Sequence, residues 1–153
     1  MQSFQCPPLF NGQITRATEA EHSPQTAEMQ RLYARSYQDY SAGELNSAQH
    51  GFLQLAMQSP TRPEFLFALA CTLKRQQNYA DALDLFNYVQ LLQPENPWVN
   101  WQCAVCAQEL NNGELAWQQL KNTIELCFSQ ASECPDYDSL RQRAEQQCTL
   151  QRG

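Results

Sequence analysis

The residues best equipped for chemistry in this chain are Cys103 and Cys106, a Cys-x-x-Cys pair set among Trp101, Ala104 and Val105. Two thiols at that spacing hold zinc when a second pair stands at matching distance, or exchange disulfides when they sit in a βαβ setting. Neither context is present, because no second pair follows at zinc spacing and the surrounding pattern is helical. The pair reads as small packing residues inside a helix. His22 and His50, the only histidines, have no serine or cysteine companion at a recognisable catalytic spacing and read as surface residues. Glu19/Glu21 and Asp81/Asp84 read as solvated charges, and Arg141/Arg143 as an exposed basic pair on the last helix. There is no glycine-rich loop to cradle a phosphate. With no nucleophile–base set and no metal set, the chain is expected to be no enzyme and to use no cofactor and no metal.

The chemistry that does stand out is aromatic. Tyr33, Tyr37 and Tyr40 are spaced four and three apart, so on a helix all three project from one side. Stepping forward by 34 residues brings that side to Phe67 and Cys71, with Lys74 beside them, and then to Trp101 and Val105, with Trp98 one turn earlier. A surface of Tyr, Phe and Trp, several with a hydroxyl or indole N–H, suits gripping a peptide: pockets take apolar side chains while the polar tips reach its backbone. The same aromatics could instead be core. For the three tyrosines the groove reading is favoured, because Leu32 and Ser36 already supply that helix with a core side.

The step of 34 comes from the elements that must position these residues. The stretch 63–96 carries Leu66, Leu69-Ala70 and Leu73, a polar break at Gln76-Gln77-Asn78, then Tyr79, Ala82, Phe86 and Pro94. That order fits the helix–turn–helix unit of the tetratricopeptide repeat. Ala70 and Ala82 would stand where two antiparallel helices press closest. One unit cannot bury its apolar face alone, so neighbours are required. Thirty-four residues earlier stand Leu32, Ser36, Leu45, Ala48, Phe52 and Pro60; 34 later stand Ala104, Ala116 and Leu120, although Tyr79 maps onto Gly113. A slip of a residue or two in that third turn is expected.

The predicted fold is all-α: three repeats in a short right-handed solenoid with a C-terminal capping helix. Helices are expected at about 24–42, 44–58, 63–76, 79–92, 97–111, 114–128 and 136–150. Ser23-Pro24 supplies a capped start and Gly43 a left-handed stop. The last helix has one greasy side, Leu140, Ala144 and Cys148, as a cap requires. Residues 1–22 read as a flexible arm and 23–150 as the repeat domain.

Composition narrows the partners. The 153 residues carry a net charge of −6 and a pI near 4.8, which argues against nucleic acid and anionic membrane. No apolar run approaches the ~20 residues needed to span a bilayer. The N-terminus MQSFQCPPLF lacks a basic start and apolar core, so no secretory signal is expected. Seven cysteines, an odd number set within helical patterns, are expected as reduced thiols in the cytosol.

Assembled in order, these residues resemble the class II chaperones of bacterial type III secretion. The matching stretches are Ser23-Pro24, Leu32-Tyr33-Ala34, Tyr37, Tyr40 and Gly43; Ala48 and Phe52; Phe67-Ala68-Leu69-Ala70-Cys71; and Tyr79 with Ala82. Pro97, Trp101-Gln102-Cys103-Ala104-Val105-Cys106, Gly113-Glu114-Leu115, Leu140 and Arg143-Ala144 complete the likeness over about residues 23–150. The resemblance implies three repeats whose concave groove holds an extended segment of a hydrophobic translocator protein in the bacterial cytoplasm, keeping it soluble and unassembled before export. Some such chaperones also assist a transcriptional activator. It further implies Tyr33, Tyr37 and Tyr40 in the client groove, with Phe67 and Trp101 opposite, and a homodimer through the arm and first helix. The chain departs from the pattern at Ser36, where a small helix-contact residue is expected, and at Asp39, the counterpart of Leu73. The alternative on the same scaffold is a co-chaperone for a needle or filament subunit, or an assembly adaptor, whose groove would hold a helix.

Overall fold

The structure, a computed structural model, describes residues 24–131 and 133–152. The expected arm and the Ser23 cap lie outside the described residues. The described residues form helices without strands: α1 (Pro24–Ala42), α2 (Leu45–Gln58), α3 (Pro63–Arg75), α4 (Tyr79–Leu92), α5 (Pro97–Glu109), α6 (Gly113–Ser129) and α7 (Asp136–Arg152). The chain divides into two compact units, Met1–Gln77 and Asn78–Gly153. The division falls in the turn of the second expected repeat. In the first unit α2 packs on both α1 and α3; in the second, α5 packs on α4 and α6, and α6 on α7.

The 34-residue period is written in the backbone as well as in the side chains. Gly43, Gln77 and Asn111 are the described residues with positive φ, at 86°, 65° and 60°, and each stands 34 positions from the next. Their N–H groups bond back to the carbonyls of Tyr40, Lys74 and Gln108 at 3.2, 2.9 and 3.0 Å. The left-handed residue ends one helix and turns the chain into the next. The helices that follow begin at Leu45, Tyr79 and Gly113, again 34 apart. The expected slip in the third turn is therefore absent. Gly113 occupies the first helical position, where an apolar side chain is dispensable, and Asn112 caps the helix by accepting from the Leu115 N–H at 3.2 Å.

The repeat's contact residues are interior. Ala48, Ala82 and Ala116 are fully buried, as are Phe52, Phe86 and Leu120 four residues on. Proline opens α3 and α5 at Pro63 and Pro97, where its missing N–H costs nothing. Asn96 adds a cap, accepting from the Trp98 N–H at 3.0 Å. In helix α3 the whole run Phe65 through Leu73 is buried, Thr72 included, whose hydroxyl donates to the Ala68 carbonyl at 2.9 Å. On α7, Leu140 and Ala144 are fully buried while Gln142, Gln146 and Leu150 face outward, the one-sided pattern of a cap. No described helix is long and apolar enough to cross a membrane.

Candidate functional site

In the first unit the tyrosine spacing builds a continuous aromatic cluster. The rings of Tyr33 and Tyr37 lie 6.2 Å apart and those of Tyr37 and Tyr40 6.0 Å apart. Tyr33 also meets Phe52 of α2 and Phe65 of α3, each at 5.7 Å. Tilted ring pairs at these centroid distances fall within the range of favourable aromatic contact. Two guanidiniums close its ends: Arg62 stacks 5.0 Å from the Phe65 ring and Arg75 4.5 Å from the Tyr40 ring. Arg75 Nη1 also donates to the Tyr40 carbonyl. Arg62 is anchored by Glu64 at 2.9 Å.

Exposure divides the expected groove residues. Tyr33, Tyr37 and Lys74 are half-buried and can present part of their surface to a ligand. Tyr40, Phe67 and Cys71 are buried, at 4%, 0% and 1% exposure. Arg75 lies over the Tyr40 ring, whereas Phe67 and Cys71 lie within the continuously buried run Phe65–Leu73. Leu32, expected to supply the core side of α1, is only half-buried, while Ser36 is fully buried.

In the second unit Trp98 and Val105 are half-buried and Trp101 is buried at 8% exposure, with Arg143 of α7 stacked 5.0 Å from its ring. Arg141 is ion-paired to Glu145 at 2.9 Å and Asp138 at 3.7 Å and stacks on Phe128. The expected basic pair therefore serves aromatic and acidic neighbours. Trp98 Nε1 and Asn100 Oδ1 are buried without a hydrogen-bond partner among the described residues. Asn100 Nδ2 instead donates to Gln119 Oε1 at 3.1 Å, an oxygen it shares with Gln90 Nε2.

The Cys-x-x-Cys thiols are interior. Cys103 and Cys106 are both fully buried, and burial, helped by the neighbouring Cys106, pushes the Cys103 thiol up to about 12. A thiol held so firmly protonated is a poor nucleophile and a poor metal ligand. No disulfide joins the described cysteines to one another, and no group of three His, Cys, Asp or Glu side chains among the described residues is placed to hold a metal. His50 is exposed, as expected; His22 lies outside the described residues.

Sequence reasoning passed over Phe65 and Arg75. Phe65 is hidden in an apolar run whose periodicity names no face. Arg75 follows the expected Lys74 by one residue, and its reach back to Tyr40 crosses between helices distant in sequence.

No protein-family model matches the chain, and no curated protein does. Solved structures do. PcrH from Pseudomonas aeruginosa aligns with a TM-score of 0.75 at 22% identity, over 86% of this chain and 95% of that one. The type III secretion translocator chaperone SycD of Yersinia enterocolitica aligns with a TM-score of 0.77 at 19% identity, over 87% and 88%. SycD in complex with a peptide of the translocator YopD gives 0.75 at 19%, over 88% and 97%. This chain has the fold of PcrH and of the translocator chaperone SycD.

Proposed function

We propose that this protein is a bacterial cytoplasmic chaperone that binds an extended segment of a hydrophobic type III secretion translocator and keeps it soluble and unassembled before export. The observation that carries this reading is the shared fold with SycD, which is seen holding a translocator peptide. The half-buried aromatics support it. In the first unit we assign client contact to Tyr33, Tyr37 and Lys74; in the second, to Trp98 and Val105, with the edge of Trp101. Tyr40, Phe67 and Cys71 set the shape beneath the contact residues.

The physical logic is that a membrane-inserting client must stay soluble before export and then be released intact. A few aromatic anchors hold an otherwise unfolded chain with affinity that need only exceed the client's own self-association. Rings fixed by neighbouring rings and guanidiniums pay little entropy on binding. The test is co-expression with a protein encoded beside this one that carries two apolar segments. The reading expects that protein to move from the insoluble to the soluble fraction as a complex. If it stays insoluble with the chaperone present, the reading fails.

A further inference from the structure

Charge is segregated along this chain. The first unit carries six acidic and six basic side chains, the second ten acidic and four basic, so the whole net charge of −6 belongs to the second unit. From Gln76 to Leu120 there is no lysine, arginine or histidine, against Asp81, Asp84, Glu95, Glu109 and Glu114. Helix α4 lies inside that stretch. Its inward side is Ala82, Phe86 and Val89, all fully buried. Its outward side is Asp81, Asp84, Tyr88, Leu91 and Leu92, all exposed. At i, i+3, i+7, i+10 and i+11 these five share about a third of the helix circumference over about 16 Å. The acids stand at the start of the stripe and the apolar residues at its end. Leu91, at 79%, is the most exposed large apolar side chain among the described residues. Asp81 accepts from Asn78 Nδ2 at 2.9 Å, and neither it nor Asp84 nor Glu95 is ion-paired among the described residues.

The outer side of a surface helix is ordinarily polar throughout. Three large apolar side chains gathered on it, beside unpaired acids, mark a contact surface. Charge selects what covers it. A second copy would bring the same acidic face, on a unit of the same net charge. Residues 1–23, with Arg16 against Glu19 and Glu21, are acidic too. An anionic bilayer is repelled by the same field. An α-helix offers no free backbone edge for strand pairing, so the occupant docks through side chains, as an amphipathic helix does. We infer that the α4 face carrying Tyr88, Leu91 and Leu92 docks a basic amphipathic helix of a partner protein. The partner's apolar side covers those three residues, and its lysines or arginines meet Asp81 and Asp84. The unbroken acidic stretch around α4 steers such a segment to the face before contact is made. The inference is independent of the client reading, since none of these five residues is assigned to client contact.

The test uses the full-length protein and a fluorescein-labelled synthetic helix of leucine and lysine alone, its leucines at i, i+3, i+4 and i+7. Two control peptides accompany it, one with glutamate in place of lysine and one with the same composition but the leucines scattered. Fluorescence anisotropy should show the parent binding the first peptide more tightly than either control. Asp81→Lys/Asp84→Lys and Tyr88→Ser/Leu91→Ser should each raise the dissociation constant about tenfold or more. The circular dichroism spectrum should not change, because all four side chains are exposed. Glu28→Lys/Glu44→Lys, the same change of net charge made on exposed positions of the first unit, should have a far smaller effect. The proposal is overturned if the controls bind as tightly as the basic helix, or if the two charge-reversed pairs weaken binding equally. It is also overturned if Tyr88→Ser/Leu91→Ser binds as the parent does. Loss of translocator-peptide binding in that last variant would give the face to the client, and loss of self-association would give it to a second copy; either result overturns the proposal.

Discussion

Gly51 of α2 and Ser36 of α1 meet with no room between them. A Cβ at position 51 would overlap Ser36 Oγ and come within 3.0 Å of Ser36 Cβ. Both residues are buried, Ser36 at 1% exposure. The small helix-contact residue that the repeat requires in its first unit is thus supplied twice over, by a serine where alanine is expected and by a glycine facing it. Gly51→Ala should therefore destabilise the first unit by about 1–3 kcal/mol through overpacking, more than offsetting its better helix propensity. Adding Ser36→Gly should recover part of the loss. Thermal melts of the two singles and the double form a double-mutant cycle, and strict additivity would mean that the two residues do not share this contact.

Asn100 occupies the position that Leu66 holds in the preceding repeat and Leu32 in the first. It is buried at 2% exposure, and its Oδ1 lacks a partner. A buried acceptor without a donor carries its full desolvation cost. Asn100→Leu should stabilise by about 1 kcal/mol, raising the melting temperature by roughly 3 °C. Gln119 Oε1 keeps its bond from Gln90. An unchanged or lower melting temperature would show that the amide's remaining bond outweighs the orphaned oxygen.

Cys103 gives a pH signature. Its thiol is pushed up to about 12 from an ordinary value of 9.0, chiefly by burial. Between those values the unfolded chain releases a proton that the folded chain keeps, so the unfolded state binds fewer protons and stability falls as pH rises. The contribution is intact below pH 9 and is lost at about 1 kcal/mol per pH unit above it. Cys103→Ala should flatten that limb of a pH series of urea melts. In thiol alkylation of the folded protein near neutral pH, half-exposed Cys134 and Cys148 should react well before Cys103.

The architecture was legible because packing constrains side-chain size at fixed intervals. Ala48, Ala82 and Ala116 announce a close helix contact wherever they recur, and the structure buries all three. The third turn misled because side chains alone were compared. The period there is carried by the left-handed Asn111, and a polar residue can take that conformation without any apolar mark in the sequence. The site was less legible for a related reason. Helical spacing says which residues project together, as it did for Tyr33, Tyr37 and Tyr40, but not what covers them. Tyr40 is covered by Arg75, 35 residues away, and Phe67 lies in a run of nine consecutive buried residues, Phe65 to Leu73.

The central claim is that half-buried aromatics grip an extended client while their buried neighbours hold the fold. Calorimetric titration with peptides tiled across the translocator that co-expression recovers in complex tests it most directly, using the parent protein, Tyr33→Ala, Tyr37→Ala and Tyr40→Ala. The account predicts that one peptide binds the parent. Tyr33→Ala and Tyr37→Ala should each weaken it by about 1–2 kcal/mol with little change in melting temperature. Tyr40→Ala, which strips a buried ring from beneath Arg75, should melt early, at a cost of about 3 kcal/mol. If no peptide binds, or if Tyr33→Ala and Tyr37→Ala lose binding only in proportion to their unfolded fraction, the account is contradicted.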